Sequence, residues 1–200
     1  MRLFLCSHFS SVGNLMKDEI AMKKVAFIPT ASIREGYTGY VGSARKLFQK
    51  MGAIVMEMDI SQEDYAAIKS VLEEADIIYF TGGNSFFLID QIRRTAADEL
   101  IKQELAKGKW LIGESAGAVI CAPNISYIER MDEKPMDYSQ ADDAGLALID
   151  FYVLPHYLTM PFKKVTAQIL EEFPELELCP INNAQAIIVE GRSKKVVGKN

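Results

Sequence analysis

The sequence predicts an α/β fold, a three-layer sandwich in which helices cover both faces of a mostly parallel central sheet. Short apolar runs rich in β-branched and aromatic residues alternate with longer stretches in which apolar residues recur at helical spacing. The chain has 200 residues, of which 49% are hydrophobic, so it can build a substantial core. We therefore expect one domain spanning residues 1–200.

The individual elements follow from the same pattern. Strands are predicted at residues 2–7, 24–29, 53–59, 77–81, 110–113 and 151–155, and a C-terminal hairpin at 186–190 and 195–197. Helices are predicted at 40–51, 62–74, 86–94, 97–107 and 162–173. Ser61, three residues before Asp64, predicts a capping box at the start of the second helix.

Composition excludes several classes of function. The net charge is −5 and the basic residues are scattered, which argues against a nucleic-acid partner or an anionic membrane surface. No apolar run reaches the roughly 18 residues of a membrane span, and the N-terminus lacks a secretory pattern, so we expect a cytoplasmic protein. The three cysteines form no C-x-x-C pair, which predicts reduced thiols rather than a metal site. No feature calls for a metal or an organic cofactor.

The chemistry is predicted to centre on Ser115. This serine lies between the strand at 110–113 and a run of small and apolar residues that begins at Ala116, and Gly113 and Gly117 complete a G-x-S-x-G pattern. A sharp strand-to-helix turn lifts the hydroxyl clear of the sheet and offers backbone N–H groups to a developing oxyanion. The pattern alone also fits a phosphate-binding turn or a tight structural connection.

A serine nucleophile needs a base, and the chain has only two histidines. His156 follows the strand at 151–155, at the carboxyl end where open α/β sheets bind their ligands. His156 is therefore the predicted base, whereas for His8 a structural role is favoured.

Two loops are predicted at the same edge. Gly82, Gly83 and Asn84 follow the strand at 77–81, where glycines let backbone N–H groups approach a substrate oxygen, and Asn84 either orients substrate or caps the next helix. Residues 124–144 lack clear periodicity and follow the serine, which predicts a long loop in the place of a lid.

Three segments carry a family resemblance: Thr81-Gly82-Gly83-Asn84, Gly113-Glu114-Ser115-Ala116-Gly117-Ala118 and Pro155-His156-Tyr157. In this order and spacing they resemble the peptidase E family of serine peptidases, which is typified by aspartyl dipeptidase and includes the cyanophycinases. The resemblance implies a fold like that of the class I glutamine amidotransferases, with Ser115 as nucleophile and His156 as general base. It also implies an oxyanion hole formed by the backbone of Gly83 and Ala116.

The sequence departs from that family at the third catalytic position. The family places an acid either in a turn after the histidine, where this chain has Asn183, or in the loop after the nucleophile, where Asp132 is nearest and Glu129 is a substitute. An amide can hold an imidazole in the right tautomer, but it cannot stabilise an imidazolium as a carboxylate does.

A second departure concerns specificity. Aspartyl dipeptidases carry an arginine after the histidine that recognises the substrate's aspartate, whereas residues 157–164 here contain no arginine and only Lys163 and Lys164 as cations. Aspartate specificity is therefore not predicted.

The sequence leaves three hypotheses for the function. The first is a serine peptidase that hydrolyses small peptides, acting as a monomer or a homodimer. The second is a binding or regulatory homologue that keeps the fold but turns over slowly. The third, an unrelated α/β-hydrolase esterase, is disfavoured by the chain length and by the Thr-Gly-Gly-Asn loop.

Overall fold

The computed structural model describes residues 1–199, which fold into a mixed α/β structure. Its nine strands are β1 (Arg2–Cys6), β2 (Lys24–Ile28), β3 (Ile54–Glu57), β4 (Ile77–Phe80), β5 (Trp110–Glu114), β6 (Tyr152–Leu154), β7 (Leu178–Pro180), β8 (Gln185–Glu190) and β9 (Ser193–Gly198). Seven of them form the central sheet in the order β3-β2-β4-β5-β1-β8-β9. The predicted fold class is confirmed.

The central sheet is parallel except at one side. The pairs β3–β2, β2–β4, β4–β5 and β5–β1 are parallel, whereas β8 pairs antiparallel with both β1 and β9. Every residue of β4 and β5 is buried, as expected for strands covered on both faces. The parallel strands bring their carboxyl ends, and the segments that follow them, to one edge of the sheet.

Within residues 1–199, eight α-helices connect and cover the strands. They are α1 (Phe9–Val12), α2 (Lys17–Ile20), α3 (Gly39–Lys50), α4 (Tyr65–Glu74), α5 (Ser85–Arg94), α6 (Ala97–Ala106), α7 (Ala116–Val119) and α8 (Lys163–Glu172).

Two hydrophobic clusters lie on opposite faces of the sheet, because alternate residues of each strand point in opposite directions. In β4, Ile77 and Tyr79 belong to one cluster with Phe48 of α3, whereas Ile78 and Phe80 belong to the other with helices α4 to α7. The sheet therefore has a core on each side, as the three-layer prediction requires.

One predicted strand belongs to a different sheet, and three short elements were not predicted. The predicted strand at 151–155 is present as β6, but it pairs with β7 in a separate two-stranded sheet. Neither β7 nor the short helices α1 and α2 was predicted, because segments of three or four residues have no measurable periodicity.

The predicted capping box is also wrong. Asp64, in extended backbone, caps α4 by accepting a hydrogen bond from the Ala67 N–H at 2.8 Å. Ser61 lies in a preceding 3-10 turn and its hydroxyl donates to Asp59. Because the Ser61 hydroxyl hydrogen-bonds Asp59, it does not cap α4, and Asp64 is the N-cap residue instead.

Among residues 1–199, no helix is both long and apolar enough to cross a membrane.

Candidate active site

Ser115 lies at the turn between β5 and α7, in a backbone conformation that is rare for a residue with a side chain, with φ 47° and ψ −106°. Its N–H donates to the Cys6 carbonyl at 2.8 Å, which ties the turn to the end of β1. A Cβ at Gly113 would lie 2.4 Å from the Gly117 carbonyl oxygen, and a Cβ at Gly117 would lie 2.6 Å from that of Phe80. Both glycines of G-x-S-x-G are thus required by close backbone packing.

The structure brings Ser115, His156 and Asn183 together. The Ser115 Oγ lies 2.9 Å from His156 Nε2, and His156 Nδ1 lies 2.7 Å from Asn183 Oδ1. Because an amide oxygen only accepts, Nδ1 must carry the proton in this arrangement. Nε2 then has a free lone pair, and the Ser115 hydroxyl donates to it.

The surroundings of His156 favour the neutral form of its ring. The ring stacks on Phe162, with centroids 4.8 Å apart and planes at 24°. Burial lowers the pKa of His156 below its ordinary value of 6.5, the hydrogen bond to Asn183 raises it, and the nearby His8 lowers it further. A neutral imidazole is the form that can accept a proton at neutral pH.

Two backbone N–H groups lie beside the serine. Gly83 has φ +132°, and a Cβ there would lie 2.1 Å from the Ala31 carbonyl oxygen, so only glycine fits. Ala116 is the first residue of α7, where a backbone N–H has no partner within the helix. Within residues 1–199, neither the Gly83 nor the Ala116 N–H has a hydrogen-bond acceptor. Their use as an oxyanion hole stays a prediction.

The other residues of this loop have different surroundings. A Cβ at Gly82 would lie 3.3 Å from Ser115 Cβ, so Gly82 leaves space directly beside the hydroxyl-bearing carbon. Asn84 caps α5, with its Oδ1 accepting from the Phe87 N–H at 2.8 Å and its Nδ2 donating to the Glu133 carbonyl at 2.7 Å. The structure thus gives Asn84 the capping contact, and substrate binding by this side chain stays a prediction.

Asp132 does not contact His156, whose ring hydrogen-bonds only Ser115 and Asn183 among residues 1–199. The Asp132 carboxylate accepts from the Ser85 N–H at 2.8 Å, at the start of α5. Burial raises the pKa of Asp132 to about 6.

The remaining charged candidates lie apart from this hydrogen-bond network. Glu129, the substitute acid, pairs with Lys134 at 2.6 Å. Lys163 and Lys164 begin α8, and both are exposed. No group of three or more His, Cys, Asp or Glu side chains within residues 1–199 is placed to hold a metal ion.

Glu114, which sequence reasoning left without a role, is a buried carboxyl group next to the serine. It accepts hydrogen bonds from the Phe9 N–H at 2.8 Å and the Tyr79 hydroxyl at 2.5 Å, and the Gly82 backbone also hydrogen-bonds to it. Burial raises the pKa of Glu114 to about 7 against these hydrogen bonds. An acid inside an otherwise apolar strand-and-turn motif is the signal that could have identified it.

Comparisons with known proteins show which family the chain is similar to. The model of peptidase family S51 matches residues 6–197. An uncharacterized peptidase of Listeria innocua is 43% identical, the alignment covering 98% of this chain and 95% of that protein. A peptidase E of Nostoc is 26% identical over 98% of this chain and 86% of its own length.

Solved structures are similar over the whole chain. A Listeria monocytogenes protein that was solved as a candidate peptidase E superposes with a TM-score of 0.94 at 42% identity, covering 100% of this chain and 98% of its own. A peptidase from an acI-B1 actinobacterium has the same fold, with a TM-score of 0.76 at 22% identity, covering 99% of this chain and 87% of its own. The match to the family model across nearly the whole length, supported by these relatives, shows that the chain belongs to peptidase family S51.

Proposed function

We propose that the protein is a serine peptidase that hydrolyses small peptides, in the manner of a dipeptidase, through Ser115 and His156. Membership of peptidase family S51 supports a peptidase. The observation that carries the finer proposal is the 2.9 Å contact between Ser115 Oγ and His156 Nε2, with Asn183 behind the ring. This is the order of nucleophile, base and orienting group that acyl transfer requires.

In the first half of the reaction, Ser115 Oγ attacks the carbonyl carbon of the peptide bond while His156 Nε2 takes the hydroxyl proton. The carbonyl oxygen becomes an oxyanion, which the N–H groups of Gly83 and Ala116 stabilise by hydrogen bonds. When the tetrahedral intermediate collapses, the C–N bond breaks and His156 gives its proton to the departing amine. Ser115 is left as an ester of the acyl half.

In the second half, water attacks the ester carbon and gives a proton to His156 Nε2. The same two N–H groups hold the new oxyanion. Collapse breaks the bond to Ser115 Oγ, which recovers its proton from His156, and the free acid leaves. The net reaction consumes one peptide and one water and gives an acid and an amine.

The neutral side chain of Asn183 determines the rate of hydrolysis that we expect of this site. Its amide oxygen keeps the Nδ1 proton in place and so preserves the productive tautomer. It carries no charge, however, and stabilises the imidazolium formed during attack less than a carboxylate would. We therefore propose a slow peptidase, and we propose no preference for an N-terminal aspartate.

The neutral third residue also favours a second candidate, a binding or regulatory homologue that keeps the pocket without efficient turnover. In that case the peptide still binds beside Ser115, but hydrolysis is negligible.

Incubation with a panel of dipeptides that differ in the N-terminal residue separates the two candidates. The peptidase proposal predicts release of free amino acids that disappears in Ser115→Ala and persists in Ser43→Ala, a matched change at an exposed serine on α3. Binding of a dipeptide by calorimetry without any product would favour the regulatory candidate. Product formation that survives Ser115→Ala would contradict the proposed mechanism.

A further inference from the structure

The end of β1 contacts all three segments that carry the proposed catalytic groups. The Cys6 carbonyl accepts from the Ser115 N–H at 2.8 Å. The next side chain, Ser7, accepts from the His156 N–H at 3.0 Å and donates from the same Oγ to the Ile181 carbonyl at 3.0 Å. Ile181 lies two residues before Asn183.

This junction joins two parts of the structure that strand pairing leaves separate. Ser115 follows β5 of the central sheet, whereas His156 follows β6, and Asn183 follows β7, in the two-stranded sheet. The two-stranded sheet is tied together by its own bonds, for example from the Tyr157 N–H to the Ile181 carbonyl at 3.0 Å. Those bonds fix the base relative to Asn183, but they do not fix it relative to the nucleophile.

Ser7 has the properties of a fixed link between the two sheets. It is 1% exposed, so water does not compete for its hydroxyl, and its two partners lie 149 and 174 residues away along the chain. The Ser7 hydroxyl accepts a hydrogen bond from one segment, at His156, and donates one to the other, at Ile181.

We propose that Ser7 is a positioning residue, which holds the backbone of His156 and the turn of Asn183 at the distance from Ser115 that proton transfer requires. This inference rests on the proposed function and adds to it a residue that never contacts the substrate. Proton transfer depends on a donor–acceptor distance of about 3 Å, and a shift of about 1 Å can cost about 100-fold in rate.

The variant Ser7→Ala removes the link and leaves the Ser115–Cys6 bond in place. The His156 N–H and the Ile181 carbonyl lose this buried partner, so the two-stranded sheet can shift relative to β5. We expect kcat for peptide hydrolysis to fall by about 10- to 100-fold while KM stays within about threefold, because the substrate-binding groups are unchanged.

Thr30→Val is the matched control. Thr30 is a buried hydroxyl that also accepts from a backbone N–H, that of Ile60 at 2.9 Å, and donates to a second group, Asp59, at 2.9 Å. Neither partner contacts Ser115, His156 or Asn183. This variant should lose thermal stability in the same range as Ser7→Ala, with kcat within about threefold of the wild type.

A second readout does not need turnover. In protein with isotope-labelled histidine, the Nδ1 proton of His156, which is held by Asn183, should give a protected NMR signal in the wild type and in Thr30→Val. In Ser7→Ala that signal should shift or exchange faster. If Ser7→Ala fails to fold, Ser7→Cys, with a weaker donor of similar size, should show the same change to a smaller degree.

The outcomes separate the two proposals. Wild-type kcat and an unchanged Nδ1 signal in folded Ser7→Ala, or equal losses of kcat in Ser7→Ala and Thr30→Val, would overturn the positioning role. A wild-type protein that cleaves no peptide would overturn the proposed function instead, and the NMR comparison would still decide the role of Ser7.

Discussion

Two segments of this chain were candidates to orient the histidine, and the structure uses only one of them. In the turn after β7, Asn183 contacts His156 Nδ1 at 2.7 Å although it carries no charge. In the loop at residues 124–144, Asp132 carries a carboxyl group but binds the Ser85 N–H at the start of α5. The difference teaches that the geometry of a triad can be kept while its charge is lost.

Removing the base should have the largest effect. In His156→Ala, we expect kcat for peptide hydrolysis to fall by about 10⁴-fold or more, because Ser115 loses the base that contacts its hydroxyl. His8→Ala is the control. His8 hydrogen-bonds the Ser11 side chain and makes no hydrogen bond to His156 or Ser115 among residues 1–199, so kcat should stay within about threefold. Steady-state kinetics on one dipeptide measures both, and equal losses would refute the assignment of the base.

The comparison is sharpest at Asn183. In Asn183→Ala, kcat should fall by about 100-fold or more, since the imidazole loses the group that fixes its tautomer. In Asn183→Asp, a carboxylate replaces the amide, so kcat should rise and the pKa of His156 should move up. Because burial lowers the pKa of His156 from its ordinary value of 6.5, we expect the acid limb of the wild-type pH–rate profile below that pH, and in Asn183→Asp it should move to higher pH. A profile that is identical in all three proteins would count against Asn183 as the orienting residue.

Glu114 lies next to Ser115 in sequence and, like Asp132, is a carboxyl group that does not contact His156. Its pKa is raised from 4.5 to about 7, so the folded protein holds this proton more tightly than the unfolded chain does. The protonated Glu114 therefore adds roughly 3 kcal/mol to the free energy of unfolding below pH 4.5. That contribution is lost as the pH rises through about 7.

Glu114→Gln cannot titrate, so it should remove that part of the pH dependence. Urea unfolding of the wild type and the variant at pH 5 and pH 8 measures the difference. Equal changes between the two pH values in both proteins would show that Glu114 does not titrate in this range.

Asp132→Asn should have the smallest effect. An amide oxygen can still accept from the Ser85 N–H, so the variant should stay folded. kcat should stay within about threefold of the wild type. Thermal unfolding and steady-state kinetics check both, and a loss of kcat as large as that of Asn183→Ala would show that catalysis also depends on Asp132.

Much of the fold was accessible from sequence because its signals are local and repeated. Apolar runs predicted the buried strands β4 and β5, and apolar residues at helical spacing predicted α3 to α6. The alternation of strands and helices along the chain predicted a parallel sheet. The glycines around Ser115 predicted a tight turn, and the packing distances at Gly113 and Gly117 give the reason.

What the sequence could not supply depends on tertiary contacts. Periodicity identified β6 as a strand but could not assign it to the separate sheet, since nothing in three residues specifies a partner. The capping choice between Ser61 and Asp64 depended on Asp59, which competes for the Ser61 hydroxyl. Asn183 was identified through a family resemblance, whereas Ser7 and Phe162, which contact His156, carry no sequence signal.

The most direct test of the central claim is the rate at which a fluorophosphonate labels Ser115, followed by intact mass and peptide mapping. We expect one adduct, on Ser115, that forms in the wild type and in His8→Ala and slows by about 100-fold or more in His156→Ala, because the base activates the hydroxyl. Folded wild-type protein that stays unlabelled, or a rate that does not depend on His156, would contradict the account.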